Sequence, residues 1–399
     1  MVTAGNPQSA SRPNLPQTTQ WRNVDLKTFR NEIIPRDRPA VLKGLVEHWP
    51  IVRASKQSPQ ALLDYIRARD LGHGVNVMVG RPEIAGLYFL RDDMMGLNFE
   101  LESQPLHATL ARILANVERP DSPAIYSMAV PVAENCPQIG RENTIDIPGK
   151  PAQPRLWLGN DVTTATHYDN MDGINCMVAG RKRFTFFPPD QLPNLYVGPL
   201  ELGPAGQPIS LVKVSAPDLE RFPRFAQALA AAEEADVEPG DAIYIPNLWW
   251  HNVESLERVN LSVNYWWFDA IEWEAEPFAA LVHGLVALTP LPANRREVWR
   301  MMFDHYVFRT NGDPVPPRLA CLGRSSAVRF SPAHISLAQT SSAITRGSGP
   351  ISACMDRGIA IARRGSNRLG IHSHSCRSQK KVRIELISDA LERGERCSP

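Results

Sequence analysis

The sequence lacks three features that would place it in a specialised class of protein. Its six cysteines include no CxxC pair, and only Cys136 and Cys176 fall in the well-patterned part of the chain, which argues against a disulfide framework or a zinc site. No apolar run approaches the length of a membrane span, and residues 1–20 contain no apolar segment typical of a signal peptide. A formal net charge of +1 provides no field that would attract nucleic acid. We therefore expect a cytoplasmic protein without membrane association or direct nucleic-acid binding.

The composition that is present, 43% hydrophobic and 21% charged, is that of a globular protein. Residues 1–20 are rich in Pro, Ser and Gln and are predicted to be flexible, and residues 21–308 read as one ordered domain. Residues 314–399 lose almost all aromatics and become rich in Ser, Arg and Gly, so we expect a poorly ordered tail whose abrupt start resembles out-of-frame translation. The His372 and His374 pair belongs to that tail and is not interpreted as a metal site.

The pattern along the ordered domain predicts a mainly β fold. A helix around Leu26–Ile33, a strand at Ala40–Leu42 and a helix capped by Ser58 form an N-terminal α/β preface. Short strands rich in β-branched and aromatic residues then dominate a barrel core of about 122–270, which is typical of a double-stranded β-helix or jelly roll. Helices are predicted over about 271–308. The strands are "AIYSMAV", "RLWLGN", "GINCMVAG", "KRFTFFPP", "AIYIPNLWWHNV" and "VNLSVNYWW".

His167 and Asp169 lie two positions apart in "THYDN". Side chains two apart on a strand point to the same side, so the pair is either ordinary polar alternation or part of a metal site. A late strand carrying His251 in "WWHN" would bring a second imidazole to the same barrel mouth. Taken alone, a histidine beside two tryptophans is more often a packed core residue. Taken together, two imidazoles and one carboxylate form the facial triad that suits Fe(II), or manganese as its mimic.

Two further polar residues lie in apolar strands. Lys182 begins "KRFTFFPP", where a lysine is usually solvated, but a buried ammonium in a barrel mouth requires an anionic partner. Asn264 lies inside "SVNYWW" and needs a hydrogen-bond partner if buried. By strand alternation Arg183 should point away from Lys182. Large aromatic residues on strands are packing elements first, and we interpret four tryptophans in this way: Trp249, Trp250, Trp266 and Trp267.

The stretches "LGNDVTTATHYDN", "GRKRFTFFPPDQLPNLY" and "PGDAIYIPNLWWHNVES" resemble the JmjC-type, cupin-like 2-oxoglutarate and Fe(II) oxygenases. Among these the resemblance is nearest to the asparaginyl hydroxylase that inhibits hypoxia-inducible factor and to bacterial cupin-like domain proteins, and it covers roughly Trp21 to Phe308. It implies a hydroxylase that uses Fe(II), 2-oxoglutarate and O₂ and releases succinate and CO₂. It also implies a protein or peptide substrate, with hydroxylation favoured over demethylation.

The resemblance implies roles for individual residues. His167, Asp169 and His251 would bind the iron, and Lys182 would pair with the far carboxylate of 2-oxoglutarate. Three further residues would contact the cosubstrate: Thr164, Tyr126 and Asn264. The chain departs from the family pattern at two positions, where many relatives carry Asn and Gln and this sequence has Gly173 and Met177.

Two other functions remain open from the sequence. One is a cupin-type metal protein that uses the same ligands without 2-oxoglutarate, against which Lys182 argues. The other is a non-catalytic binding module on the same barrel, which Gly173 and Met177 make credible. By resemblance, the helices near Glu276–Leu288 and Asn294–Phe308 are also expected to mediate a homodimer.

Overall fold

The computed structural model describes residues 14–93, 95–119, 121–149, 152–200, 203, 207–267 and 277–312. The predicted tail at 314–399, which contains the His372 and His374 pair, lies outside these ranges, as do residues 1–13 of the predicted flexible N-terminus.

Strands in the described residues form two sheets. The larger sheet has nine strands, in spatial order β1 (Gln20–Arg22), β2 (Ala40–Lys43), β12 (Ala242–Ile245), β9 (Asp172–Ala179), β14 (Asn260–Trp267), β7 (Pro154–Gly159), β6 (Ala124–Pro131), β3 (Val75–Gly80) and β5 (Phe99–Gln104). The smaller sheet has five, in the order β11 (Glu233–Val237), β10 (Lys182–Phe187), β13 (Trp250–Ser255), β8 (Thr163–His167) and β4 (Leu87–Tyr88).

The eight strands from β7 to β14 form a jelly roll. They contribute four neighbouring strands to each sheet, β12, β9, β14 and β7 to the larger and β11, β10, β13 and β8 to the smaller. Every connection between them switches sheets except the one from β10 to β11. The remaining strands widen both sheets, and the mainly β jelly roll predicted from the sequence is confirmed.

Helices from the first half of the chain cover the outer face of the larger sheet. Phe29, Trp49 and Leu62 from the N-terminal helical segments pack with Tyr265 and Trp267 of β14 in one buried cluster. Among the described residues, the first helix is α1 (Leu26–Thr28), which continues into a π-turn at Phe29–Ile33 and a 3₁₀ turn at Ile34–Arg36. The later helices are α2 (Pro50–Gln57), α3 (Pro59–Arg67), α4 (Leu106–Ala115), α5 (Val132–Asn135), α6 (Pro137–Glu142), α7 (Phe225–Ala231), α8 (Pro277–Leu288) and α9 (Ala293–Tyr306). Further 3₁₀ turns occur at Pro82–Ile84 and Pro189–Asn194.

The predicted start of α3 is confirmed at the level of its cap. The Ser58 hydroxyl accepts a hydrogen bond from the Ala61 N–H at 3.0 Å, and Pro59 occupies the first helical position. This arrangement satisfies one of the free N–H groups at the helix start. In the part of the chain that the structure describes, no helix combines the length and apolarity needed to span a membrane.

Residues 14–20 already contact the folded domain, although the sequence predicted ordered structure only from residue 21. The Thr18 N–H donates to the Glu234 carbonyl, and the Glu234 N–H donates to the Pro16 carbonyl, both at 2.8 Å. Leu15 is buried beside the outer face of the smaller sheet. Residues 14–20 are therefore held by the edge strand β11, and the expectation of flexibility is wrong for them because that edge offers unpaired backbone groups.

The stretch "AIYIPNLWWHNV" was predicted as one strand, and the structure divides it in two. β12 ends at Ile245 in the larger sheet, and β13 begins at Trp250 in the smaller one. Pro246 cannot donate to a strand ladder, and Leu248 adopts a left-handed conformation with φ of 64° in the turn. This switch of sheets brings His251 next to β8.

Candidate metal centre

Two histidines face each other across neighbouring strands of the smaller sheet. His167 ends β8, His251 follows the first residue of β13, and the two are register partners. Their ring centroids are 4.3 Å apart. Directly opposite residues in a strand pair point to the same side, and Phe186 of β10, the partner of His251 on the other side, belongs to the apolar core between the two sheets. Both imidazoles therefore project from the inner face of the jelly roll.

The backbone fixes the tautomer of each ring. His167 Nδ1 lies 2.8 Å from the Ala165 carbonyl oxygen, and His251 Nδ1 lies 3.0 Å from that of Trp249. A carbonyl oxygen can only accept, so each Nδ1 carries the proton and each Nε2 keeps its lone pair. Burial, reinforced by the neighbouring His167, lowers the pKa of His251 below its ordinary value. The neutral ring is the form that binds a metal.

Asp169 supplies a carboxylate from just beyond β8. The prediction placed it on the same strand as His167, but that strand ends at His167. Two contacts hold Asp169 instead: the Leu248 N–H donates to its carbonyl, and Trp266 Nε1–H donates to its Oδ2, both at 3.0 Å. One ligand atom from each of Asp169, His167 and His251 lies within 4.8 Å of the other two. The structure thus brings the three predicted metal ligands together.

A β-bulge places Thr164 on the same side as the histidines. His167 is opposite His251, but Thr164 is opposite Val253, so three steps along β8 match two steps along β13. Without the extra residue, positions three apart on a strand would face opposite sides. Asn252 stabilises the bulge because its Nδ2 donates to the Thr164 carbonyl at 2.7 Å. The Thr164 hydroxyl lies 3.4 Å from the Val253 carbonyl oxygen on this inner face.

Lys182 is a buried cation on the same inner face. Its side chain is 3% exposed, and its ammonium donates to the Ser262 hydroxyl on the opposite sheet at 3.0 Å. No described carboxylate forms an ion pair with it. Burial lowers the pKa of Lys182 to about 8. An ammonium enclosed with one neutral partner is costly, and an anion entering the barrel would remove that cost.

The wall opposite Lys182 carries further hydrogen-bond donors. Ser262, Asn264 and Trp266 alternate along β14, and Trp157 of β7 is the register partner of Ser262. The Trp157 Nε1 atom is buried without a partner among the described residues. Tyr126 is also buried, with its ring centroid 6.1 Å from that of Trp157, and its hydroxyl has no hydrogen bond within the described residues. Free donors from two strands therefore accompany the buried lysine.

The two positions that depart from the family pattern lie on this wall. Gly173 is the register partner of Trp266, and Met177 is that of Ser262. Met177 is fully buried in the apolar core between the sheets. Asn175 lies between them on the same face, and its buried Oδ1 has no partner among the described residues. Neither departure removes a member of the histidine and aspartate cluster.

The packing interpretation of the tryptophans holds for three of the four. Trp249 and Trp267 are buried in apolar clusters, and Trp250 packs edge-on against Tyr168 with ring centroids 4.8 Å apart. Trp266 differs because it donates to Asp169. Sequence reasoning missed Trp266, Trp157 and Ser262, although the alternation through Asn264 on β14 was the available signal for two of them.

The comparison with known families agrees with this geometry. Residues 26–272, more than half of the chain, match the family model of the cupin-like domain. The chain belongs to the cupin-like domain family. The residues that form the candidate metal centre all lie inside this cupin-like match.

Several characterised proteins share sequence with this cupin-like domain. Lysine-specific demethylase JMJ31 of Arabidopsis thaliana is 35% identical over 113 residues, covering 28% of this chain and 20% of that protein. HSPB1-associated protein 1 of Rattus norvegicus is 32% identical over 256 residues, covering 59% and 49%. The human bifunctional peptidase and (3S)-lysyl hydroxylase JMJD7 is 27% identical over 273 residues, covering 61% and 80%. The chain thus spans half or less of the length of the first two relatives.

Proposed function

We propose that this protein is an Fe(II)- and 2-oxoglutarate-dependent oxygenase that hydroxylates a side chain of a protein or peptide. The observation that carries the proposal is the position of Lys182. A buried ammonium without an acidic partner among the described residues lies near two histidines and an aspartate whose ligand atoms converge.

The donor set fits iron. His167 and His251 would each bind the metal through Nε2, because their Nδ1 atoms are already engaged by the backbone. Asp169 would complete a two-histidine, one-carboxylate face, which is the arrangement of non-haem Fe(II) oxygenases and leaves positions open for other ligands. Zinc favours a closed tetrahedron, and Mg²⁺ or Ca²⁺ favours more oxygen ligands.

The donors deeper in the barrel fit the far carboxylate of 2-oxoglutarate. Lys182 would supply a charge-assisted hydrogen bond, and Thr164, Tyr126 and the Trp157 indole would supply neutral ones. Asn264 lies on β14 between Ser262, the partner of Lys182, and Trp266, and would contact the same cosubstrate. The hydrogen-bond donors on this inner face thus match the negative charge of the proposed cosubstrate.

When bound, Fe(II) with 2-oxoglutarate and O₂ would supply the oxidising chemistry, giving succinate, CO₂ and a hydroxylated product. The protein's residues hold and shield the reactants. Lys182 anchors one end of the cosubstrate, and Trp266 fixes the carboxylate of Asp169. The apolar side chains of Phe184, Phe186 and Met177 pack between the two sheets and exclude water from the site.

The relatives favour a protein or peptide substrate. The lysyl hydroxylase JMJD7 is matched over 80% of its length, whereas the lysine demethylase JMJ31 is matched over only 20%. We therefore place hydroxylation ahead of demethylation.

Measuring succinate formation tests the proposed function. Protein loaded with Fe(II) and 2-oxoglutarate without oxygen should form succinate after O₂ is admitted, faster in the presence of a substrate peptide. A cupin that acts without 2-oxoglutarate, or a binding module, would form none. Succinate at the level of a protein-free control would contradict the proposed function.

The affinity for 2-oxoglutarate should depend on pH through Lys182. Burial lowers the pKa of Lys182 to about 8, so the free protein carries the charged ammonium below that pH and loses it above. Affinity should stay constant up to about pH 8 and then fall by up to about tenfold per pH unit. Calorimetric titrations between about pH 7 and pH 9 measure this fall. Lys182→Met should give a flat profile, and a flat wild-type profile would contradict the assignment.

We also propose a homodimer formed through helices α8 and α9. Apolar side chains on both helices are exposed, including Leu285, Val286, Trp299 and Met302. Light scattering on the full chain should give twice the monomer mass, and Trp299→Glu should give the monomer. Met95→Glu, which changes an exposed apolar residue elsewhere, serves as the control. A monomeric wild-type protein would contradict the proposal.

A further inference from the structure

We propose that Trp266 and Gly173 act together as positioning residues that orient the Asp169 carboxylate toward the metal. This inference rests on the proposed metal centre and assigns a role to two residues outside the ligand set. It starts from a single contact, the hydrogen bond of 3.0 Å from Trp266 Nε1–H to Asp169 Oδ2.

The contact leaves one carboxylate oxygen for the metal. Trp266 is the one side-chain donor to Asp169 among the residues that the structure describes. Asp169 lies beyond the end of β8, so no strand pairing fixes its side chain. The indole N–H therefore restricts rotation of the carboxylate at Oδ2 and leaves Oδ1 available to a metal. A hydrogen bond to a ligating carboxylate typically orients the ligand and raises metal affinity.

Gly173 provides the space in which the indole lies. It is the register partner of Trp266 on β9. A Cβ at position 173 would lie 3.0 Å from Trp266 Cδ1 and 3.2 Å from its Nε1, closer than ordinary van der Waals contact. A Cβ at this position would require the indole to shift by a few tenths of an ångström, which would change its contact with Asp169. The glycine that departs from the family pattern is thus matched to this tryptophan.

A second aromatic ring holds the indole from the β7 side. Trp157 packs edge-on against Trp266, with ring centroids 5.6 Å apart and an interplanar angle of 84°. The indole is therefore confined by Gly173 on one neighbouring strand and by Trp157 on the other. Its N–H has a fixed direction before any metal binds, which is the condition for a positioning role.

The adjacent Trp267 offers a matched control. It is the next residue on β14, so it faces the opposite side of the sheet, and its ring packs against Phe29 in the outer core. Its buried Nε1 has no partner among the described residues. Replacing either tryptophan by phenylalanine keeps an aromatic ring and removes an N–H, but only at position 266 does that N–H contact a metal ligand.

The experiment measures Co(II) affinity and the visible spectrum of the Co(II)-bound full-length protein, with folding followed by near-ultraviolet circular dichroism. Trp266→Phe is expected to bind Co(II) about tenfold or more weakly than wild-type protein and to shift the visible band, because the carboxylate reorients. Gly173→Ala should weaken binding in the same direction. Trp267→Phe should leave affinity and band unchanged, even if it lowers the melting temperature.

The outcomes separate this inference from the proposed function. Wild-type affinity and an unshifted band in Trp266→Phe, or equal weakening in Trp267→Phe, would overturn the positioning role while leaving the metal centre in place. A wild-type protein that binds no Co(II) would overturn the metal centre and, with it, this inference.

Discussion

The His167→Ala variant is expected to bind Fe(II), Mn(II) and Co(II) at least about 100-fold more weakly than wild-type protein and to lose succinate formation. Loss of an outer partner of a metal ligand already costs 10–100-fold in many sites, and this change removes a ligand itself. His251 and Asp169 would remain as two ligands on one ion, too few to hold it against water. Calorimetric titration without oxygen measures the loss. The affinity for 2-oxoglutarate should fall as well, because the near end of 2-oxoglutarate would bind the same metal ion.

An exposed histidine provides the control for this variant. His73 lies before β3, outside the cluster of convergent ligand atoms, and its Nδ1 contacts a backbone carbonyl. His73→Ala should keep wild-type metal affinity. If His167→Ala binds metal as tightly as His73→Ala does, the assignment of the metal centre is wrong.

Replacing Lys182 by methionine is expected to lower 2-oxoglutarate affinity by about 100-fold while leaving metal affinity unchanged. The variant keeps most of the length of the unbranched side chain and removes the charge that would pair with the far carboxylate, and hydrogen bonds to charged groups contribute roughly 1.5–3 kcal/mol. Without ligand the variant should be at least as stable as wild type, because wild-type folding buries an ammonium whose pKa burial lowers to about 8. Thermal melts with and without 2-oxoglutarate measure both effects.

The adjacent residue on β10 supplies the matched control. Arg183 points to the outer face, as predicted, where its guanidinium forms hydrogen bonds of 2.8 and 3.1 Å with its register partner Asp236. Arg183→Met should keep wild-type 2-oxoglutarate affinity. Equal stabilisation of Lys182→Met and wild type by the cosubstrate would show that Lys182 is not its anchor.

Much of the fold follows from local patterns in the sequence. Short β-branched and aromatic segments between turns predicted the jelly roll, and Ser58 with Pro59 predicted the start of α3. The pairing of His167 with Asp169 and the buried position of Lys182 could also be expected, because a polar residue inside an apolar strand needs a partner. Each of these features depends on residues within one segment of the chain, and such local features can be predicted from a sequence pattern.

Contacts between distant segments account for what the sequence did not predict. Pro246 ends β12 and moves the chain to the other sheet, so a run that reads as one strand becomes two. The bulge that turns Thr164 inward is visible only in the register of β8 against β13. Trp266 looked like a packing residue because its role depends on Asp169, which is 97 positions away in sequence. Such roles depend on which strands become neighbours, and alternation within one strand does not specify that.

An anaerobic absorbance titration shows whether one site binds Fe(II) and 2-oxoglutarate together. Fe(II) and 2-oxoglutarate together, and neither alone, should give wild-type protein a weak visible charge-transfer band, which requires both ligands at one site. The band should be absent from His167→Ala and should require far more 2-oxoglutarate in Lys182→Met. A wild-type protein that shows no band at saturating Fe(II) and 2-oxoglutarate would contradict the proposed binding of both at this site.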